Sequence, residues 1–242
     1  VKPSYLKDVA AVNNSIPWPL IPQLLGNNKE QFLLMASTLA ELGFNEVNWN
    51  LGCPMPIVTK KQRGSGLLPY PEKISSLLSG LMPGINISLS VKMRLGLNSP
   101  DEAHAVIGVL NDYPLKNIIV HPRLGKDLYD KPVDLDRFES LLPFIRHTVV
   151  YNGDIFSVED FIRISKRFPS INHFMLGRGL LRDPFLASKI KGSVMPQHDE
   201  ARDILRRFHQ SLFDEVVSNS INRKRVLGKM KEFWSYFCFW FE

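Results

Sequence analysis

The chain has 242 residues, 44% of them hydrophobic and 22% charged, with 30 basic and 24 acidic side chains and a net charge of +6. That composition excludes a disordered chain, and a length of this order buries a full core without disulfides or a structural metal. Two cysteines, Cys53 and Cys238, are too few for a disulfide framework, and no apolar run approaches the roughly 20 residues of a membrane span. With no signal peptide read at its start, the expectation is a cytoplasmic, monomeric protein without membrane association. The excess of basic residues permits a polyanionic partner and does not establish one.

Six short apolar runs read as strands: Leu20 to Leu25, Glu46 to Asn50, Ile87 to Met93, Asn117 to His121, Thr148 to Asn152 and His173 to Leu176. Several, such as IIVH and TVVYN, are apolar and β-branched almost throughout, as suits strands buried on both faces. Helical patterns fill the gaps. NKEQFLLMASTLAELG has apolar residues at helical spacing with Gly43 as its stop, and SVEDFIRISKRF opens on Ser157 as an N-cap with Asp160 three positions on. Strand and helix alternating at about 31 residues per unit match a (β/α)8 TIM barrel of ~250 residues. Only six units are legible. Val1 to Pro19, with Pro3, Pro17 and Pro19, reads as loop and short helix, so the barrel is entered late and its first two strands are expected in residues preceding Val1. After Pro196 the strand signal stops and Ile204, Leu205, Phe208, Leu212, Phe213 and Val216 recur at helical intervals. The expected division is an N-terminally incomplete barrel over 1–192, a linker at Gly192, Ser193 and Pro196, and a helical domain over 197–242.

Active sites of barrels lie at the C-terminal ends of the strands. There the chain places Gln23; Asn50 and Cys53; Lys92 and Arg94; His121 and Arg123; Asn152, Gly153 and Asp154; and Gly177, Arg178 and Gly179. A purely structural barrel has no reason to end every strand in a hydrogen-bonding side chain. Each residue alone has a plain alternative: Lys92 as a snorkelling lysine, His121 as a satisfied core histidine, Cys53 as a small buried hydrophobe, the two glycine loops as ordinary turns. Together they describe a ligand site. The loops NGDIFSVED and LGRGLLRDP pair glycine with a helix start, which suits a phosphate. Cys53, set between Gly52 and Pro54 beyond a strand, carries a thiol that can act as an acid. No His/Cys spacing suggests a metal site.

Strand-end Gln23 followed by NLGCP, RGSGLL, VKMRLG, VHPR, YNGDI and GRGLL, in this order, resembles the bacterial tRNA-dihydrouridine synthase family. The resemblance implies an FMN-containing barrel enzyme with a helical tRNA-binding domain, re-reduced by NADPH. It implies FMN contacts at Gln23, Lys92, His121, Asn152, Gly153, Asp154, Gly177 and Arg178. Cys53 matches the thiol that protonates uracil carbon 5 while hydride reaches carbon 6; Asn50, Arg94 and Arg123 match substrate-facing positions. The family's opening strand with its flavin-contacting segment has no counterpart here, and the helical tail is shorter. The basic run Arg223, Lys224 and Arg225, extended by Lys229 and Lys231, together with Lys60, Lys61 and Arg63, is expected to meet tRNA phosphates; the alternative is a solvated helix face. Two rival functions are an FMN barrel acting on a free pyrimidine, akin to dihydroorotate dehydrogenase, and an RNA-binding relative without catalysis.

Overall fold

The computed structural model describes residue 9 and residues 19–219 and 222–240. The reading of Val1 to Pro19 therefore falls almost wholly outside the described residues. Six strands appear among them: β1 (Gln23–Leu24), β2 (Glu46–Leu51), β3 (Ser88–Gly96), β4 (Ile118–Leu124), β5 (Val149–Asn152) and β6 (His173–Met175). They form one sheet in the order β1-β2-β3-β4-β5-β6, every neighbouring pair parallel, with helices between successive strands from β2 to β6 and after β1. This is the expected α/β architecture, six consecutive units of a (β/α) barrel. Among the described residues β1 and β6 each pair on one side only.

Two strand boundaries differ instructively from expectation. β3 and β4 each run three residues further, because Arg94 pairs with His121 and, past an irregularity, Gly96 with Leu124. Arg94 and Arg123 thus lie within the last residues of their strands. β1 is shorter, since Pro22 has no N–H to offer a ladder and contributes only its carbonyl, accepting from Asn48 N at 2.8 Å.

The chain separates into two compact units. The first holds residues up to Gly153 and Ser170–Met175, and so contains the whole sheet. Its core is made by alternate strand residues Val47, Trp49 and Leu51, Val91 and Met93, and Val120, all fully buried, against Ile74, Leu78 and Val106 of the flanking helices. Asn28 caps helix Lys29–Glu41 by accepting from Gln31 N, and the helix ends before Gly43 at φ +90° as expected.

The second unit holds Asp154–Pro169 and everything from Leu176. Ser157 accepts from Asp160 N at the start of helix Val158–Arg167, and the Asp160 carboxylate accepts from Phe156 N. Two long helices, His198–Ser218 and Arg223–Phe237, follow. Helix Arg178–Arg182 packs on Arg223–Phe237, and Val158–Arg167 on Leu186–Ile190, so the last barrel helices join the helical tail. The linker residues mark a chain turn, while three-dimensional packing sets the unit boundary.

Candidate functional site

Parallel pairing puts residues in register on the same face of the sheet. Gln23 pairs with Asn48 and Asn48 with Ser90; Asn50 pairs with Lys92; Arg94 pairs with His121. One face of β2 and β3 therefore carries a run of polar side chains at alternate positions, joined by Gln23 of β1 and, past Ile119, by His121 of β4, while Val47, Trp49, Leu51, Val91 and Met93 fill the other. The expected strand-end residues Gln23, Asn50, Lys92, Arg94, His121 and Arg123 all lie on this polar face.

Cys53 is held by its backbone. Asn50 Oδ1 accepts from Gly52 N at 2.9 Å and from Cys53 N at 2.8 Å. The Cys53 carbonyl accepts from Ser65 N at 3.0 Å and from Ser65 Oγ at 3.0 Å. Gly64, at φ +56°, lies so close that an added Cβ would stand 2.6 Å from the Cys53 carbonyl oxygen and 2.8 Å from its Cβ. Only glycine fits there, which explains in physical terms why GSG follows the cysteine loop. The intervening segment is tied down by Asn27, whose amide donates to the carbonyls of Lys61 and Gln62 and accepts from Arg63 Nε at 3.1 Å. Arg63 thus has a local partner, whereas Lys60 and Lys61 are exposed. Cys53 itself is half-buried with a free thiol.

The neighbouring strands bring four cationic or titratable groups together. Lys92 is half-buried, no hydrogen bond or ion pair to it occurs among the described residues, and desolvation together with the nearby Arg94 charge pushes its pKa down to about 8. Arg94 is fully buried and donates Nη1 to the carbonyls of Leu124 and Leu128, both at 2.7 Å, with Tyr129 over its guanidinium at 5.1 Å. Arg123 donates Nε to the Lys131 carbonyl and lies 3.3 Å from His121 Nε2 through Nη1. Arg94 and Arg123 together brace the loop after β4.

At the end of β5, Asn152 Nδ2 donates to the Met175 carbonyl at 2.8 Å. Gly153 has φ +150°, and a Cβ there would meet Val133 at 2.7 Å. In the second unit, Asp154 takes φ +43° and its carboxylate accepts from Arg178 Nη2 at 2.9 Å, with the Phe156 ring 5.3 Å from the same guanidinium. Gly177 precedes helix Arg178–Arg182. Arg223, Lys224 and Arg225 are all exposed on the first turn of their helix, where Asn222 caps Lys224 N.

Sequence reading missed Glu46, Asn48, Ser90 and Ser65, all buried polar residues. The signal for the first three was the alternation in EVNWN and SLSVK, polar at every second position in runs read only as strands. Ser65 gave no signal, since it reaches Cys53 only once the loop closes.

The family described as Dihydrouridine synthase matches residues 3–237. The tRNA-dihydrouridine(16) synthase of Neisseria meningitidis serogroup B is 29% identical over 236 residues, covering 94% of this chain and 70% of that protein. The enzyme of the same name from Ralstonia nicotianae is 30% identical over 185 residues, covering 76% and 56%. A probable tRNA-dihydrouridine synthase of Staphylococcus epidermidis is 28% identical, covering 87% and 65%. The chain thus spans between 56% and 70% of the length of these relatives. Two solved structures share the fold. Histamine dehydrogenase from Rhizobium sp. 4-9 has a TM-score of 0.52 at 14% identity over 68% of this chain and 27% of its own. O-succinylbenzoate synthase from Thermosynechococcus elongatus has 0.51 at 16% identity over 75% and 50%. With a match running from residue 3 to residue 237, the chain belongs to the dihydrouridine synthase family.

Proposed function

We infer that this chain takes part in the FMN-dependent reduction of specific uridines in tRNA to 5,6-dihydrouridine, with NADPH as the reductant. The observation that carries this reading is the fixed backbone of Cys53 beside the half-buried Lys92, whose ammonium has no acceptor among the described residues. Such an ammonium is costly unless it meets an anion or a polarised carbonyl, and a flavin ring offers the latter. Gln23, Lys92, His121 and Asn152 would hold the flavin ring, with Gly153, Asp154, Gly177 and Arg178 toward its phosphate. Bound FMN supplies hydride for uracil carbon 6.

The chain's own residues handle proton and orientation. Cys53 holds the proton that goes to carbon 5, and Asn50 directs its remaining N–H to a base carbonyl. Arg94 and Arg123 keep the loop after β4 in place as the wall of the base pocket. A target uridine leaves its RNA stack to reach such a pocket. The exposed basic groups Lys60, Lys61, Arg223, Lys224 and Arg225, with Arg63 behind the loop, suit tRNA phosphates.

Nucleoside mass spectrometry of tRNA incubated with protein, FMN and NADPH tests this. Dihydrouridine should form with the parent chain and fall to background with Cys53→Ala, while flavin binding persists. Conversion of a free pyrimidine with tRNA left untouched would point to the rival flavin-barrel chemistry instead.

A further inference from the structure

The polar face of β2 contains an unbroken line of hydrogen bonds. Cys53 N and Gly52 N donate to Asn50 Oδ1 at 2.8 and 2.9 Å. Asn50 Nδ2 donates to Gln23 Oε1 at 2.7 Å, and Gln23 Nε2 to Asn48 Oδ1 at 2.8 Å. Asn48 Nδ2 then donates to Ser90 Oγ at 3.0 Å, and Ser90 Oγ to Glu46 Oε1 at 2.7 Å. The other carboxylate oxygen of Glu46 meets Lys116 Nζ at 2.6 Å. Glu46, Asn48 and Ser90 are buried.

The direction of this line is forced from both ends. Backbone amides only donate, so Asn50 must turn its oxygen to the Cys53 loop. A carboxylate only accepts, so Ser90 must give its proton to Glu46 and leave its lone pairs to Asn48. Every amide between is then fixed in one of its two orientations. Aligned hydrogen bonds of this kind polarise one another, and one ending on an ionised acceptor is stronger than a neutral one. The consequence at the site is specific. Asn50 has both lone pairs of Oδ1 used and one N–H left, so it can meet a carbonyl oxygen and not an amino group.

We propose that Glu46 is a remote positioning residue, which through Ser90, Asn48 and Gln23 fixes the orientation of Asn50 and with it the Cys53 loop and the carbonyl preference of the base site. The part concerning the base rests on the uridine reading above. The part concerning Asn50 and Cys53 does not.

The test uses the 242-residue chain and three variants: Ser90→Ala, which cuts the line; Glu46→Gln, which leaves Ser90 free to bond in either sense; and Lys116→Met, which removes only the exposed cation. Backbone amide exchange is read by NMR on the protein without flavin or RNA. Ser90→Ala and Glu46→Gln should speed exchange at Gly52 and Cys53 by about fivefold, the loss of one hydrogen bond's net contribution, with helix Asp101–Leu110 unaffected. Lys116→Met strips the buried Glu46 carboxylate of its cation and should speed exchange evenly, with Gly52 and Cys53 changed within a factor of about two of helix Asp101–Leu110. A purely structural ion pair predicts that same even pattern for Glu46→Gln and Ser90→Ala. That result, or unchanged exchange at Gly52 and Cys53 in both line variants, overturns the proposal. In turnover with tRNA, the line variants should lose about tenfold in kcat with little change in KM. Selective exchange in a protein that reduces no uridine at all would support the positioning of Asn50 and refute the uridine reading.

Discussion

Ser65 grips the carbonyl of Cys53 twice, through its backbone N–H and its hydroxyl, each at 3.0 Å. Twelve residues separate them, and Ser65 is fully buried. With Asn50 holding Cys53 N from the other side, the thiol's backbone has little freedom to move. Ser65→Ala keeps the N–H contact and loses the hydroxyl, at a cost of about 1 kcal/mol in stability. Dihydrouridine formation should fall further than that cost suggests, by about tenfold, because a small displacement of a reacting group is expensive in rate. A thermal melt alongside the mass-spectrometric assay separates the two effects; a variant with parental turnover would show that the hydroxyl does not position Cys53.

Gly64→Ala should be strongly damaging to the cysteine loop. The residue sits at φ +56° and the new Cβ would stand 2.6 Å from the Cys53 carbonyl oxygen. Backbone strain alone is about 1 to 3 kcal/mol, before the clash displaces Cys53. Loss of uridine reduction with a lowered melting temperature is the expected result, and Gly43→Ala, where a Cβ would meet nothing within 4 Å, is the comparison for positive φ without a clash.

Lys92 gives a pH signature. Its pKa is pushed down to about 8 from an ordinary 10.5. Below pH 8 the ammonium is charged in both folded and unfolded chains, and the folded protein carries the full desolvation cost. Between about 8 and 10.5 the folded chain releases its proton while the unfolded chain keeps it, so stability rises across that window. Lys92→Met should therefore be more stable than the parent at pH 7, with the difference closing by pH 10.5. Flavin affinity should show the reverse dependence, weakening above pH 8 in the parent as the ammonium is lost, and staying flat in Lys92→Met. Denaturation and flavin titrations at four or five pH values between 7 and 10.5 check both.

Arg223, Lys224 and Arg225 are exposed at the start of their helix, with no acidic residue in its first turn. Replacing all three by alanine should weaken tRNA binding and lower the slope of log affinity against log salt by roughly 2 to 3, about 0.7 to 0.9 per phosphate contact. An unaltered slope would assign these residues to a solvated face. The melting temperature should hardly change, since none of the three is buried.

The parts of this molecule written in local sequence were legible. Runs such as IIVH become strands wherever their partners lie, and Ser157 with Asp160 makes its cap within four residues. Cys53 stood out because glycine and proline isolate it beyond a strand. What depends on register was hidden: Asn48 and Ser90 are 42 residues apart and meet only because β2 and β3 pair as they do. Arg94 and Arg123 read as strand-end residues, and what stayed hidden is that they also donate to Leu124, Leu128 and Lys131, because the strands run three residues further than apolar composition indicates. The unit boundary was hidden for a related reason, since helix Arg178–Arg182 packs against a helix more than forty positions later.

The alternation along β2 has one more consequence. Glu46, Asn48 and Asn50 face one way and Val47, Trp49 and Leu51 the other, so the same six residues specify the core and the site. Inserting or deleting one residue between Gly43 and Asn50 would exchange the two faces wholesale, driving carboxylate and amides among the helices and presenting Trp49 to the ligand. The segment therefore tolerates changes of side chain, one at a time, far better than any change of length. Aligned relatives of this chain should show no gap in this stretch.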